Sequence, residues 1–404
     1  MAVNLKEPDS LLSVEGIRLA CVSAGIKKNQ SKDLVLIELA QGSNCAAVFT
    51  QNKFCAAPVS VAKQNIQTNS PRYLLINSGN ANAGTGEQGM NDALDSCRFV
   101  AAKGNCNATE ILPFSTGVIG ENLPIEKIDN ALPALFENLS TDNWIEAGRG
   151  IMTTDTKLKG VSRQLEIQGK TITVTGLAKG AGMIQPNMAT MLSFIATDAA
   201  INNELLQQCL AQAADLSFNS ITVDSDTSTN DACVLMATAK AGNAEITQAD
   251  ENYKKIFKVI CDVSLYLAQA IIRDAEGATK FVAIQVDHAN SLKDARQVAY
   301  TVAHSPLVKT ALFASDPNWG RILAAVGRAG VEFEIDKIKI FLDDICIVSN
   351  GGRDIDYTEA QGQKVMNNAE IIIRIELHTG DQSACIWTSD LSYDYVKINS
   401  EYRS

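Results

Sequence analysis

The sequence predicts a mixed α/β or α+β fold. Three observations carry this. Short runs rich in Val, Ile and Leu, bounded by turn signals, recur along the chain and read as strands. Between them lie segments with apolar residues at helical spacing. The two kinds do not alternate cleanly, so a regular series of βαβ units is not expected.

The elements follow in order. Residues 17–26 and 34–40 (IRLACVSAGI, DLVLIELA) read as strands, and a β-rich stretch follows near 45–62. YLLIN at 73–77 is a short strand that stops at a loop of small polar residues, SGNANAGTGEQG. Ala93, Leu94, Cys97 and Val100 share one side of a helix over 91–103. A helix is expected over 125–139, kinked or restarted at Pro133. Polar and apolar residues alternate through 161–176 around Gly169, which predicts a hairpin. MLSFIATDAAI then reads as a strand. Helices are expected at 203–219, 250–275, 291–303 and 317–329, and strands at 280–287, 338–348, 370–378 and 384–388.

At 404 residues the chain exceeds one ordinary domain, yet no Pro/Gly/Ser linker and no internal repeat divides it. Its 46% hydrophobic and 20% charged residues are those of a globular protein with a sizeable core. The net charge of −11 argues against a dedicated nucleic-acid binder, whose footprint is basic. With three histidines, His288, His304 and His378, and no paired spacing among them, a His-rich metal site is excluded. No two of the ten cysteines stand as Cys-x-x-Cys, so buried free thiols are expected. The N-terminal segment lacks an apolar signal-peptide core, and no run of 18 apolar residues occurs. A cytoplasmic protein without membrane or nucleic-acid partners, and without a metal or cofactor, is expected.

Four segments are candidates for chemistry. GTGEQG at 84–89 matches the dinucleotide fingerprint, with Glu110 about twenty residues on, but six residues separate it from the strand it should follow directly. A polar loop, or a loop offering N–H groups to another ligand, are the other readings. DSDTSTND at 224–231 resembles a calcium loop, but its sixth position is Thr229 and its twelfth Leu235, so a hydrogen-bonded turn is the better reading. STGVIG at 115–120 is either a simple turn or, through Thr116 and the Gly117 N–H, an oxyanion hole.

The fourth segment is AKGAGMIQPNMATMLSFIATDA at 178–199. Lys179 stands among glycines and alanines, with no acidic residue in the ten positions before it. Thr190 opens an apolar run, and a threonine there is ordinarily only a strand former. A threonine also serves as a nucleophile where a base is at hand, and its own α-amine is such a base once the preceding peptide bond is cut. That amine titrates at about 7.7–8.0, near working pH. Such a site needs no histidine.

Several of these segments together resemble the ornithine acetyltransferase (glutamate N-acetyltransferase) family of arginine biosynthesis. The matching stretches are NSGNANAGTGEQG (77–89), STGVIGENLP (115–124), IMTTDT (151–156), the 178–199 block, VDSDTSTND (223–231), RDAEGATK (273–280), SDPNWGRILAAVGRAG (315–330) and VKINSEYRS (396–404), in family order along nearly the whole chain. Gly84 stands where members often carry cysteine, and Ser404 where some carry threonine.

The resemblance implies an α+β sandwich distinct from the proteasome-like N-terminal nucleophile fold. It implies self-cleavage between Ala189 and Thr190 into an α fragment, 1–189, and a β fragment, 190–404, interwoven in one particle, usually α2β2. Thr190 then takes acetyl from N2-acetyl-L-ornithine and passes it to L-glutamate by a ping-pong route; some members also use acetyl-CoA as a co-substrate. Carried over by motif, Thr116 and Gly117 form the oxyanion hole, and Thr153, Lys179, Thr190, Glu276, Asn399 and Ser404 contact substrate. Lys179 suits the substrate carboxylate and Glu276 the ornithine ammonium. Two other readings remain: an N-terminal-threonine amidohydrolase or aminopeptidase, and a non-catalytic dinucleotide binder that stays uncut.

Overall fold

The apolar runs of the N-terminal half are buried on both faces, which decides where they sit. In Leu34–Leu39, Leu34 and Leu36 face one core while Val35, Ile37 and Leu39 face another. Successive strand residues point to opposite faces, so an unbroken apolar run needs cover on both sides. A computed structural model of the chain describes residues 2–28, 31–185 and 191–401. It holds three sheets.

The first sheet has four strands in the order Ile17–Val22, Leu34–Leu39, Tyr73–Asn80, Ile111–Val118. The second has five, in the order Asn44–Phe49, Ala232–Ala237, Leu192–Thr197, Lys170–Lys179, Lys159–Ile167. These two sheets face each other across a core that includes Leu19, Ile37, Phe114, Phe194 and Val234. Phe114 and Phe194 meet edge to face across it, with ring centroids 5.2 Å apart. Helices Gly86–Gly104 and Ile125–Glu137 cover the outer face of the first sheet through Val100, Leu132 and Leu135. Asn203–Leu216 and Glu251–Arg273 cover the outer face of the second. The result is helix, sheet, sheet, helix: the α+β sandwich expected.

The third sheet has seven strands, from Gly352–Arg353 at one edge to Ile221–Thr222 at the other, and buries its own core under the helices of residues 292–327. The expected strand 338–348 is two strands, Lys339–Leu342 and Ile345–Ser349.

Two other expectations are corrected. Only Asn44–Phe49 of the 45–62 stretch is a strand; Ala57–Thr68 is a helix that Pro58 opens. Proline suits a helix start, where its missing N–H has no partner to lose. The helix Ile125–Glu137 runs through Pro133 without a restart. Pro133 is on the exposed side, as is Asp129, whose carbonyl loses its helical partner there, so the missing bond is not buried. The hairpin at Gly169 is longer than its alternation suggested, Lys159–Ile167 with Lys170–Lys179. Its second strand ends on Lys179 beside Leu192.

Candidate active site

Two parallel strands, Tyr73–Asn80 and Ile111–Val118, stay in register from Tyr73↔Ile111 to Gly79↔Gly117 and then shift at Asn80. Their ends meet too closely for side chains. Gly117 has φ +137°, and a Cβ there would stand 2.5 Å from the Asn80 nitrogen. Only glycine fits that approach. The asparagines of NSGNANA build the rest of the corner. Asn77 accepts from the Ser115 hydroxyl at 2.6 Å and donates to the Asn80 carbonyl at 2.8 Å. Asn230, from the DSDTSTND turn, donates to the carbonyls of Ala81 and Ser115 at 2.6 and 2.9 Å. A buried carboxamide can satisfy several backbone groups at once, so this loop is fixed, not loose.

GTGEQG is packed upon itself. The helix begins at Gly86, inside the motif. Asn82 donates to the Gly89 carbonyl at 2.8 Å, and the space a Gly89 Cβ would need is filled by the side chains of Thr85 and Asn82. Gly89 therefore serves the packing of its own helix.

The glycine-rich block is held from two sides. The Asp155 carboxylate accepts the Gly180 N–H at 2.7 Å, the Thr153 N–H at 2.9 Å and the buried Lys159 ammonium at 2.6 Å. Lys159 also reaches Asp274 at 2.6 Å, where the helix Glu251–Arg273 ends. Burial alone would raise the Asp155 carboxyl, but Lys159, Lys179 and the Gly180 N–H together pull it down to about 2. On the other side the Asp224 carboxylate accepts the N–H groups of Met183 and Ile184 at 2.7 and 2.8 Å and the Tyr395 hydroxyl at 3.0 Å. The 224–231 segment is thus a hydrogen-bonded turn whose acid holds a neighbouring loop.

Glu276 comes in beneath Gly182. Its N–H donates to the Ala181 carbonyl at 2.9 Å, and Asn399 donates to its carboxylate at 2.8 Å. Asn399 arrives on the helix Tyr393–Ser400, which seats against Gly277. Lys179 donates to the Thr116 hydroxyl. Burial lowers its ammonium, against the pull of Asp155 and Asp231.

These elements enclose a pocket of about 280 Å³. Thr116, Gly117, Thr153, Lys179, Glu276 and Asn399 all line it. So do Met191, Asn230 and Asp231. Ala189, Thr190 and Ser404 lie outside the described residues. Three residues of the site were not singled out in the sequence. Asp155 is the acid of IMTTDT, Asp231 the last residue of DSDTSTND and Asn230 its neighbour. An acid within a small-residue motif is the only signal any of them gave.

The ArgJ family model matches residues 18–404. The chain belongs to the ArgJ family. It is 56% identical over 406 residues to the arginine biosynthesis bifunctional protein ArgJ of Pseudomonas fluorescens (strain Pf0-1), covering 100% of both chains. It is 56% identical over 396 residues to the ArgJ of Methylococcus capsulatus (strain ATCC 33009 / NCIMB 11132 / Bath), covering 98% of this chain and 97% of that one. The crystal structure of the ArgJ of Bacillus halodurans is similar with TM-score 0.50 and 37% identity, over 52% of this chain and 99% of that chain. Among the described residues, no helix of this chain is long and apolar enough to cross a membrane.

Proposed function

We propose that this chain, an acetyltransferase of arginine biosynthesis by its family, moves acetyl from N2-acetyl-L-ornithine to L-glutamate through an acetyl ester on Thr190. The observation that carries the reading is the convergence of Thr116, Gly117, Thr153, Lys179, Glu276 and Asn399, drawn from five distant segments, on one pocket that Met191 also lines. Its volume is near the lower end of the ligand-pocket range of about 300–1,000 Å³, which suits an amino-acid-sized molecule.

The chemistry follows from the groups present. Lys179 takes the substrate carboxylate and Glu276 the ornithine ammonium, which orients the acetamide. Thr190 Oγ attacks the acetyl carbonyl while its α-amine takes the hydroxyl proton. Thr116 and the Gly117 N–H stabilise the oxyanion, ordinarily a large share of such a rate. Ornithine leaves with the proton, and the glutamate α-amine then takes the acetyl group by the reverse steps. Side chains and backbone suffice for this, with no metal or prosthetic group. The relatives are named bifunctional, which supports acetyl-CoA as a second donor that charges the same threonine.

The reading requires cleavage at Ala189–Thr190 into fragments 1–189 and 190–404, assembled as α2β2 in the cytoplasm. One further observation supports it. The Bacillus halodurans chain aligns over 99% of its own length with only 52% of this one, so it is about half as long. The full-length match to ArgJ favours acetyl transfer over the aminopeptidase reading.

The test is one gel, one N-terminal sequencing run and one assay. Two fragments are expected, the second beginning TMLSF, with glutamate-dependent release of ornithine. Thr190→Ala is expected to give an intact, inactive chain, and Thr190→Ser, which keeps a hydroxyl, a cut one. An active chain found uncut overturns the mechanism. Release of the acyl group to water alone, with glutamate inert, would instead make it a hydrolase.

A further inference from the structure

Lys309 carries a charge into the interior without lining the pocket. It sits on the helix Pro306–Phe313 and is only 4% exposed. A buried ammonium is costly unless it is paired and hydrogen-bonded, so its partners call for a reason. Its Nζ donates to the Thr388 hydroxyl at 3.0 Å and to the Ser389 carbonyl. Burial lowers the ammonium to about 8, with Asp390 and Asp224 pulling the other way, so it stays charged at neutral pH.

Both of those acids serve the pocket wall. Asp390 is buried and accepts the N–H groups of Thr279 and Lys280 at 2.8 and 2.9 Å and the Thr279 hydroxyl at 2.6 Å. This fixes the chain just after Glu276. The turn that follows Asp390 adds to the grip, since the Ser392 hydroxyl donates to the Gly277 carbonyl at 2.6 Å. Asp224 fixes the chain just after Gly182, against which Glu276 packs, through the N–H groups of Met183 and Ile184. It also takes the Tyr395 hydroxyl, from the helix whose Asn399 donates to Glu276. Glu276 is thus held from both sides by loops tied to carboxylates, and one buried cation answers both acids. Removing it would leave their charge uncompensated.

We infer that Lys309 is a positioning residue of the ammonium-binding wall: its charge holds Asp390 and Asp224, and through the loops they tie it sets where the Glu276 carboxylate stands in the pocket. This rests on the reading of Glu276 as the partner of the ornithine ammonium. Lys309 touches no substrate and exchanges no proton in the reaction. It acts on acetylornithine only through Glu276.

The experiment is a double-mutant cycle on the full chain: Lys309→Met, Glu276→Gln and the two together, with KM for acetylornithine and kcat read from ornithine release. Residues in one network couple, whereas independent ones add. Lys309→Met alone is expected to raise KM roughly tenfold, with kcat within about threefold of the parent. In the Glu276→Gln background it is expected to change KM by less than about twofold, because the carboxylate it positions has already lost its charge. A merely structural role lowers kcat through the folded fraction and leaves KM in place. Where Lys309→Met does not fold, Asp390→Asn carries the same cycle; it keeps the outline of Asp390 and an oxygen for the Thr279 and Lys280 N–H groups but has no charge for Lys309 to hold. The inference is overturned if KM stays in place in the single variant, or if the two effects multiply to roughly a hundredfold. The two ideas fail differently. An unmoved KM in Glu276→Gln sinks the reading of Glu276 and the inference with it; a raised KM there, with the second effect fully additive, sinks only the part given to Lys309.

Discussion

A Cβ on Gly182 would stand 2.6 Å from the carboxyl carbon of Glu276. The glycine is there because the acid is, and the contact sets how deep the carboxylate sits in the pocket. Gly182→Ala should displace Glu276, with an overpacking cost of about 1–3 kcal/mol. The expected result is a KM for acetylornithine raised by roughly tenfold, in a chain that is still cut. Steady-state kinetics with a gel of the same preparation checks it; an unchanged KM would mean the carboxylate's depth is immaterial.

Glu276→Gln keeps the shape and the bond from Asn399 but removes the charge. A hydrogen bond to a charged group contributes about 1.5–3 kcal/mol, so the KM for acetylornithine should rise roughly tenfold or more. If it does not move, Glu276 does not hold the ammonium. Deleting the last six residues removes Asn399 and should abolish turnover. Full activity in that truncation would refute the role carried over to the tail.

Gly117→Ala tests the strand corner. The new methyl meets the Asn80 nitrogen, and φ +137° is disfavoured for alanine. The N–H of residue 117 must then shift. Loss of an oxyanion donor lowers kcat by about 10²–10³, with KM held. A variant that loses KM and keeps kcat would assign the corner to substrate binding instead.

The Asp155–Lys159–Asp274 triad ties the Thr153 loop to Gly180 and to a helix end. Lys159→Met leaves two buried carboxylates without their cation and should destabilise the protein by about 3–5 kcal/mol in urea unfolding. The pH dependence has a definite sign. Asp155 is held at about 2, below the ordinary 3.8. Its contribution is therefore complete above pH 4 and is lost as pH falls from 4 through 2, about 2 kcal/mol in all. Asp155→Asn should flatten stability over that window and leave the slope above pH 5 as it was.

How much of this the sequence carried depends on how local the cause is. The hairpin at Gly169 and the strand Leu34–Leu39 were legible, because alternation and apolar runs report burial directly. The helix Trp144–Ile151 was not. Gly148 and Gly150 argue against a helix, yet Leu158 and Leu177 crowd Gly148, and Cys21 and Val35 crowd Gly150, so tertiary packing selects what propensity disfavours. The 45–62 stretch misled because Val59, Val61 and Ala62 are apolar enough for a strand, while Pro58 sets a helix start. At the site, motif resemblance supplied six of the described residues that line the pocket. It did not supply Asp155 or Asp231. Asp231 is placed by the pairing of Ala232–Ala237 with Leu192–Thr197, some forty residues away, and Asp155 by Lys159, which also reaches Asp274, and by Gly180 across the hairpin, which no motif spacing encodes.

In the five-stranded sheet, Asn44–Phe49, Lys159–Ile167 and Lys170–Lys179 precede residue 189, while Leu192–Thr197 and Ala232–Ala237 follow it, and the two sets interleave. Opening the chain at 189–190 thus does not make two proteins. Each piece alone would present bare strand edges and half a core, the condition that invites aggregation. The proposed cleavage would constrain the order of events accordingly: the sheet would have to close before the bond is cut, since a precursor cut too early would have no way to find its other half except by collision. Under the proposed cleavage, folding would be the licence for the cut, and the cut molecule would inherit an architecture that only an unbroken chain can readily assemble.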